Sequence, residues 1–330
     1  MKAEPTTLRK LSELLGLSIS TVSRALKNHP DISEATKKKV WELSAELDYE
    51  PNTYAVNLRT NQSKLFGVIV PSISSYFYNF FLASLEEEVK KQGYSLLILQ
   101  SGDDPVMELF NLKVCKENRV AGIFASLTSE TKDISAFLKL AEHSIPVLFF
   151  DKVPTWEPCL KVCLADEQAA RLAAQALIAQ KKQRVLALFG HHNMSISMIR
   201  RQAFLDELES QGVAYQALEV TSQTHAYQQT YQMLTSDASF DTIFSMSDEI
   251  LLGVLKAVQQ SGIQVPTQVG IIAISDGTIP QNYYPEVSYV ETSGRKLGKQ
   301  AIAAMFECMH YGLTAQQWMV ESVYVSGGTL

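Results

Sequence analysis

Residues 7–26 read TLRKLSELLGLSISTVSRAL, and the punctuation of this stretch decides the fold of the first 60 residues. Thr6 or Thr7 offers an oxygen to cap a helix, Leu8, Leu11 and Leu15 recur at helical spacing, and Gly16 ends it. Ser18 caps a second helix at once. In that helix Val22, Ala25 and Leu26 make an inner face, while Ile19, Ser20, Ser23 and Arg24 are left outside. Two short helices joined by Gly16-Leu17-Ser18 have the proportions of a helix-turn-helix. The outer face suits a recognition helix: arginine can donate twice to guanine, hydroxyls reach bases or phosphates, and an aliphatic tip touches a thymine methyl. Taken alone, these residues also fit an ordinary solvated helix face.

Working outward, Pro30-Asp31-Ile32-Ser33 closes the pair, and Ser33 caps a third helix, Glu34 to Leu47, with Val40, Leu43 and Leu47 inward. Tyr49-Glu50-Pro51-Asn52 breaks the chain. Thr53 to Arg59 then predicts about two helical turns, too short to persist unaided because helix nucleation is unfavourable. From Leu65 the character changes. Apolar runs at Leu65 to Val70, Ser95 to Leu99, Val120 to Ala125, Pro146 to Phe150, Arg184 to Phe189, Thr242 to Ser245 and Val269 to Ile274 alternate with amphipathic helices. Those helices are expected at Phe80 to Gln92, Ala169 to Gln180, Arg200 to Gln211 and Glu249 to Gln260. The alternation predicts a doubly wound α/β architecture, and its length fits two lobes better than one. The proline-rich stretch near Pro154 and Pro158 and the strand-like Val287 to Glu291 are candidate crossings between lobes. The expected domains are a headpiece over 1–50, a hinge over 51–64 and a two-lobed body over 65–330.

The chain has 330 residues and a net charge of −6. Residues 1–62 hold nine Lys/Arg and eight Asp/Glu, leaving 20 and 27 for the remainder, so a near-neutral head is joined to an acidic body. That distribution permits nucleic-acid binding at the head, since docking depends on local charge. No run approaches the roughly 20 apolar residues of a membrane span, and MKAEPTTLRKLSELLG lacks the pattern of a secretory signal, so a cytoplasmic protein is expected. Cys115, Cys159, Cys163 and Cys308 read as small buried hydrophobes. His191-His192 reads as pocket lining or exposed surface, because adjacent histidines rarely converge on an ion without further ligands. With no glycine-rich nucleotide fingerprint and no Gly-x-Ser-x-Gly elbow, neither a cofactor, a metal nor a catalytic constellation is expected.

The string from Thr7 to Leu26 closely resembles the headpiece of the lactose and purine repressor (LacI) family. The likeness continues through Ile32-Ser33, Thr36, Val40, Leu47-Asp48-Tyr49, Pro51-Asn52, Ala55 and Leu58, then at Gly67-Val68-Ile69-Val70-Pro71, Gly93-Tyr94, Gly122-Ile123, Pro146-Val147 and Val265-Pro266. The resemblance implies an all-α helix-turn-helix headpiece plus a two-lobed α/β sensor similar to type I periplasmic binding proteins. It implies a homodimer on a pseudo-palindromic operator in double-stranded DNA, nucleoid-associated when bound, and regulated by a small effector, most naturally a carbohydrate. Thr7, Ser18, Ile19, Ser20, Thr21, Ser23, Arg24 and Asn28 are the expected DNA contacts of the headpiece, with Ile19 and Ser20 as base readers. Asn52, Tyr54, Ala55 and Leu58 are those of the hinge, Leu58 as a minor-groove wedge.

For the sensor, the resemblance points to Ser75, Phe77, Tyr78, Asp151, Met194, Ile196, Arg200, Thr221, Ser247, Asp248, Ser275 and Asp276 as effector-binding residues. Several follow strand ends, where open α/β sheets hold ligands. One of Phe77 and Tyr78 also fits as core packing. Ser247-Asp248 stands where the family commonly has Asn-Asp, and Ile274-Ser275-Asp276 departs from the frequent Tyr-Asp pair. Two rivals of other classes are a transport ligand-binding protein, which the headpiece argues against, and a sugar-modifying enzyme.

Overall fold

The computed structural model of the chain describes residues 6–49, 63–155, 158–236 and 240–330. It divides into two units, Met1–Ser63 and Lys64–Leu330. In the first, α1 (Leu8–Leu15), α2 (Ile19–Leu26) and α3 (Glu34–Glu46) each begin at a capping oxygen. Thr7 accepts from the Lys10 amide at 3.2 Å, Ser18 from Thr21 at 3.1 Å and Ser33 from Thr36 at 3.3 Å, each satisfying an amide the helix leaves unpaired. Gly16 takes the left-handed φ of 62° that ends α1. Leu11, Val22, Ala25 and Val40 are buried, with Leu8, Leu15, Leu26, Leu43 and Leu47 packed around them. The expected hinge helix at 53–59 lies outside the described residues.

The second unit holds two six-stranded sheets. Strands β1 (Leu65–Val70), β2 (Ser95–Gln100), β3 (Gly122–Ala125), β4 (Val147–Phe150), β5 (Leu160–Leu164) and β11 (Gln316–Val320) form the first, in the order β11-β5-β4-β3-β1-β2, all pairs parallel. Strands β6 (Arg184–Phe189), β7 (Ala214–Glu219), β8 (Thr242–Ser245), β9 (Gly270–Ser275), β10 (Ser288–Glu291) and β12 (Val323–Val325) form the second, in the order β12-β10-β9-β8-β6-β7. Only the β10–β12 pair there is antiparallel.

Helices cover both faces of the first sheet. Phe66, Val68 and Val70 point to one face, against Phe81 and Leu85 of α4 (Tyr76–Lys91) and Leu297, Ala301 and Met305 of α12 (Gly294–Tyr311). Ile69, Ile123 and Phe149 point to the other, with Leu112 and Cys115 of α5 (Pro105–Glu117) and Phe137 of the short α6 (Ser135–Leu138). Burial on both faces explains why these strands read as continuous apolar runs. The second lobe has one core, fed by α7 (Asp166–Ala179), α8 (Ser195–Ser210), α9 (Gln223–Thr235) and α10 (Asp248–Ser261). A four-residue α11 (Thr278–Gln281) follows β9.

The chain passes between sheets three times: between β5 and α7, between β10 and α12, and between β11 and β12. The proline-rich stretch near Pro154 and Pro158 is therefore not a crossing. It joins β4 to β5, which pair side by side, so it is a connection within one sheet. Val287 to Glu291 supplies β10, and the crossing comes just after it, at Thr292-Ser293. All four cysteines are buried and none is in a disulfide; burial pushes Cys115 and Cys163 up to about 12 and Cys308 to about 11. No described helix is long and apolar enough to cross a membrane.

Candidate functional site

On α2 the inner face is closed and the outer face is open. Val22 and Ala25 are fully buried, whereas Ile19, at 47 % exposure, and Ser20, Arg24 and Asn28 face out; Thr21 and Ser23 are half-buried. The Ser18 hydroxyl lies 2.8 Å from both Ser20 Oγ and Thr21 Oγ1, so one cap organises the N-terminal turn that carries the expected base readers. No hydrogen bond or ion pair among the described residues engages the Arg24 side chain, while its carbonyl accepts from the His29 amide at 3.0 Å. Thr7 spends its side chain on its cap. Of the remaining expected DNA contacts, Asn52, Tyr54, Ala55 and Leu58 lie outside the described residues.

In the second unit the carboxyl ends of strands from both sheets converge on a cleft of about 620 Å³. The turn after β1 brings Ser75 at the start of α4, whose first turn adds Phe77 and Tyr78; β4 delivers Asp151, β6 His191, and β8 Ser247 and Asp248 at the start of α10. Met194, Ile196 and Arg200 come from α8 and the turn before it, and Thr221 follows β7. Ten of the twelve expected effector residues thus line one space. Ser275 and Asp276 do not. The Ser275 hydroxyl donates to Asp248, and the Asp276 amide donates to Asp248 Oδ2 at 3.2 Å, so both stand behind the carboxylate and position it.

Burial sets the electrostatics. Asp248 is pushed up to about 7 mainly by desolvation, with the charges of Asp276 and Glu249 adding and the Ser275 hydrogen bond opposing. Burial likewise raises Asp151, against Lys152, Arg200 and the Tyr78 hydroxyl, which donates to its Oδ2 at 2.7 Å. Tyr78, held also 2.8 Å from Ser126 Oγ, is itself raised by burial and by Asp151. Tyr78 belongs to the core as well as the cleft wall, whereas Phe77 is half-buried and presents more of its ring. Asp151 holds a left-handed φ of 59°, a strained backbone for a non-glycine residue that aims its carboxylate from the strand end.

Arg200 is 5 % exposed. Its Nε and Nη2 donate to Asp166 Oδ1 at 2.7 and 2.6 Å, and its Nη1 donates to the Met246 carbonyl at 2.7 Å. Three of its five N–H groups are thereby fixed to protein, which holds the fork rigid and leaves two donors. Sequence reasoning missed Asp166, which lies 34 positions from its partner. It also missed Glu249, which accepts from the Ser75 hydroxyl at 2.7 Å and so ties the first lobe to the second across the cleft. Lys152, Asp103 and Ser129 complete the wall, Asp103 accepting from the Ser129 amide and hydroxyl. The Gly102-Asp103 turn directly after a strand end was a signal that would have found Asp103.

Two family models match this chain. Residues 7–52 match the bacterial regulatory proteins of the lacI family, and residues 174–327 match the periplasmic binding protein-like domain. The chain thus joins a lacI-family regulatory segment to a periplasmic binding protein-like segment. The first of these segments is the mark of a DNA-binding transcription regulator. The chain is 29 % identical to the ribose operon repressor of Bacillus subtilis over 302 residues, 89 % of each chain. A lac repressor dimer bound to operator and the anti-inducer ONPF superposes with a TM-score of 0.88 at 23 % identity, covering 99 % of both chains. A periplasmic binding protein/LacI transcriptional regulator from Alkaliphilus metalliredigens, complexed with D-xylulofuranose, gives 0.71 at 23 % identity over 81 % of this chain and 99 % of that one.

Proposed function

We propose that this regulator is a cytoplasmic repressor that binds a pseudo-palindromic operator as a homodimer and is controlled by an uncharged sugar or sugar derivative held between the lobes. The observation that carries the effector class is the cleft itself. Carboxylates of Asp103, Asp151, Asp248 and Glu249 face it with Lys152 and Arg200, next to the ring of Phe77. Carboxylates accept from hydroxyls and an aromatic face covers the apolar side of a ring, which is the complement of a polyol. The sugar bound by the Alkaliphilus neighbour supports the same class.

For the dimer, an apolar face of the first lobe is unpartnered within one chain. Ile98 on β2 and Val106, Leu109 and Phe110 on α5 are exposed at 43 to 71 %, and large apolar side chains left open on neighbouring elements suit a protein–protein contact. The headpiece over 1–50 would then read two half-sites, and Leu58, in the hinge over 51–64, would wedge the minor groove; effector bound in the body over 65–330 would alter the hinge. A coupling of about 1–3 kcal/mol changes operator affinity roughly 5 to 150-fold.

Thermal-shift screening of sugars and nucleosides, followed by binding-site selection on random duplexes, tests this reading. A sugar is expected to raise the melting temperature by preferential binding to the folded state and to change affinity for the selected duplex. Leu58→Ala is expected to weaken that duplex while sparing the sugar. A protein that shows no salt-sensitive preference for any duplex, with or without ligands, overturns the proposal.

A further inference from the structure

We propose that His191, His192 and Glu219 form a binding site for a divalent transition-metal ion at the rim of the interlobe cleft. Two adjacent histidines alone make a poor site, but the fold adds a third donor. β6 and β7 run parallel and in register, pairing Phe189 with Glu219, so the loop after β6 hangs beside the end of β7. One ligand atom from each of the three side chains lies within 4.8 Å of the others. His192 Nδ1 is 3.0 Å from Glu219 Oε2, and the two imidazoles lie almost parallel with ring centroids 4.7 Å apart.

A tetrahedral ion with bonds of about 2.0–2.2 Å separates its ligands by about 3.3 Å, so the cluster must contract by roughly 1.5 Å. Exposure makes that inexpensive: His192 and Glu219 side chains are 66 and 38 % exposed and turn without disturbing a core. Two imidazoles and one carboxylate suit Zn²⁺, Co²⁺ or Ni²⁺, and three protein ligands leave a position for water. A separate observation points to the same place. Ser197 is 2 % exposed and its hydroxyl has no partner among the described residues, yet it lines the 340 Å³ pocket that His192 and Glu219 also line. A metal-bound water supplies such a hydroxyl with an acceptor or donor. Arg201 lines this pocket too, with its guanidinium over the Phe189 ring at 5.3 Å, and its charge tempers the affinity. His191 also lines the larger cleft, which sets the ion at the cleft's edge.

Untagged full-length protein titrated with Zn²⁺ against a chromophoric chelator, and with Co²⁺ by visible absorption, tests the site. One ion per chain is expected, bound at least tenfold more weakly by both His192→Gln and Glu219→Gln, with a Co²⁺ spectrum free of thiolate charge transfer. Both variants should unfold at the wild-type temperature in metal-free buffer. Absence of binding, equal binding by either variant, or a thiolate band tracing the ion to the cysteines overturns the assignment.

Discussion

Replacing Arg200 by methionine removes a buried cation on which two acceptors and a nearby carboxylate depend. Asp166, 6 % exposed, loses both of its contacts, the Met246 carbonyl loses its donor, and Asp151 loses a neighbouring positive charge. Breaking a buried pair by deleting one partner destabilises by about 3–5 kcal/mol. At about 2–4 °C per kcal/mol for a body of this size, the melting temperature of Arg200→Met should fall by roughly 10 °C. The loss has a pH signature. Without the guanidinium, the folded-state pKa of Asp166, already raised by burial, rises further. A group whose folded pKa exceeds its unfolded value destabilises the native state increasingly as pH rises, so the deficit should be larger at pH 8 than at pH 5. Asp166→Asn leaves a guanidinium instead of a carboxylate and should show a similar deficit without that slope. Thermal unfolding of the wild type, both single variants and the double variant at the two pH values measures this. Single-variant losses within the ~0.5 kcal/mol of an ordinary surface substitution, or strict additivity in the double variant, would refute the reasoning.

At Asp248 the folded pKa of about 7 lies above the 3.8 of an ordinary aspartate, so the native state keeps a proton that the unfolded chain releases; stability from this residue falls between about pH 4 and 7 and is level above. Asp248→Asn should therefore raise the melting temperature more at pH 8 than at pH 5, and an equal change at both would contradict the shift. Gly253 sits where α10 crosses α9: a Cβ there would run into the Gln223 carbonyl and come within 2.8 Å of Ala226 Cβ and Tyr227 N. Gly253→Ala should lower stability by about 1–3 kcal/mol in urea unfolding despite alanine's better helix propensity; a gain would mean that the helices separate freely. Exchanging Ile19 and Ser20 together should change the preferred duplex in a binding-site selection, whereas Arg9→Ala, on the rim of α1, should leave the preference intact.

The headpiece was legible because its signals are local. Thr7, Ser18 and Ser33 cap where the sequence placed caps, and the inner faces of α1 and α2 follow helical spacing. The central strands β1, β6 and β8 were equally plain, being buried on both faces. Two of the edge strands were not: β7 (AYQALE) and β11 (QQWMV) carry polar residues on their open sides and do not stand out as apolar runs. The long α12, which carries Gly294 and Gly298, was not among the expected helices. In the structure both allow close approach to α4, where a Cβ would come within 2.6 Å of the Phe77 carbonyl or 2.8 Å of that of Phe81. Within the cleft, residues at strand ends were found, but Ser275 was expected to touch the effector rather than to hold Asp248, and Asp166 was missed. Asp166 and Ser275 act through Arg200 and Asp248, and nothing in a linear pattern says which distant acid will meet which base.

The three passages of the backbone between sheets have a consequence for engineering. The first lobe is completed by α12 and β11, which come from the last 40 residues, and the second is completed afterwards by β12. Neither half can be cut out as a contiguous fragment without stripping a helix or a sheet margin from the other. Anyone grafting a new ligand response onto this headpiece must transplant residues 64–330 as one cassette.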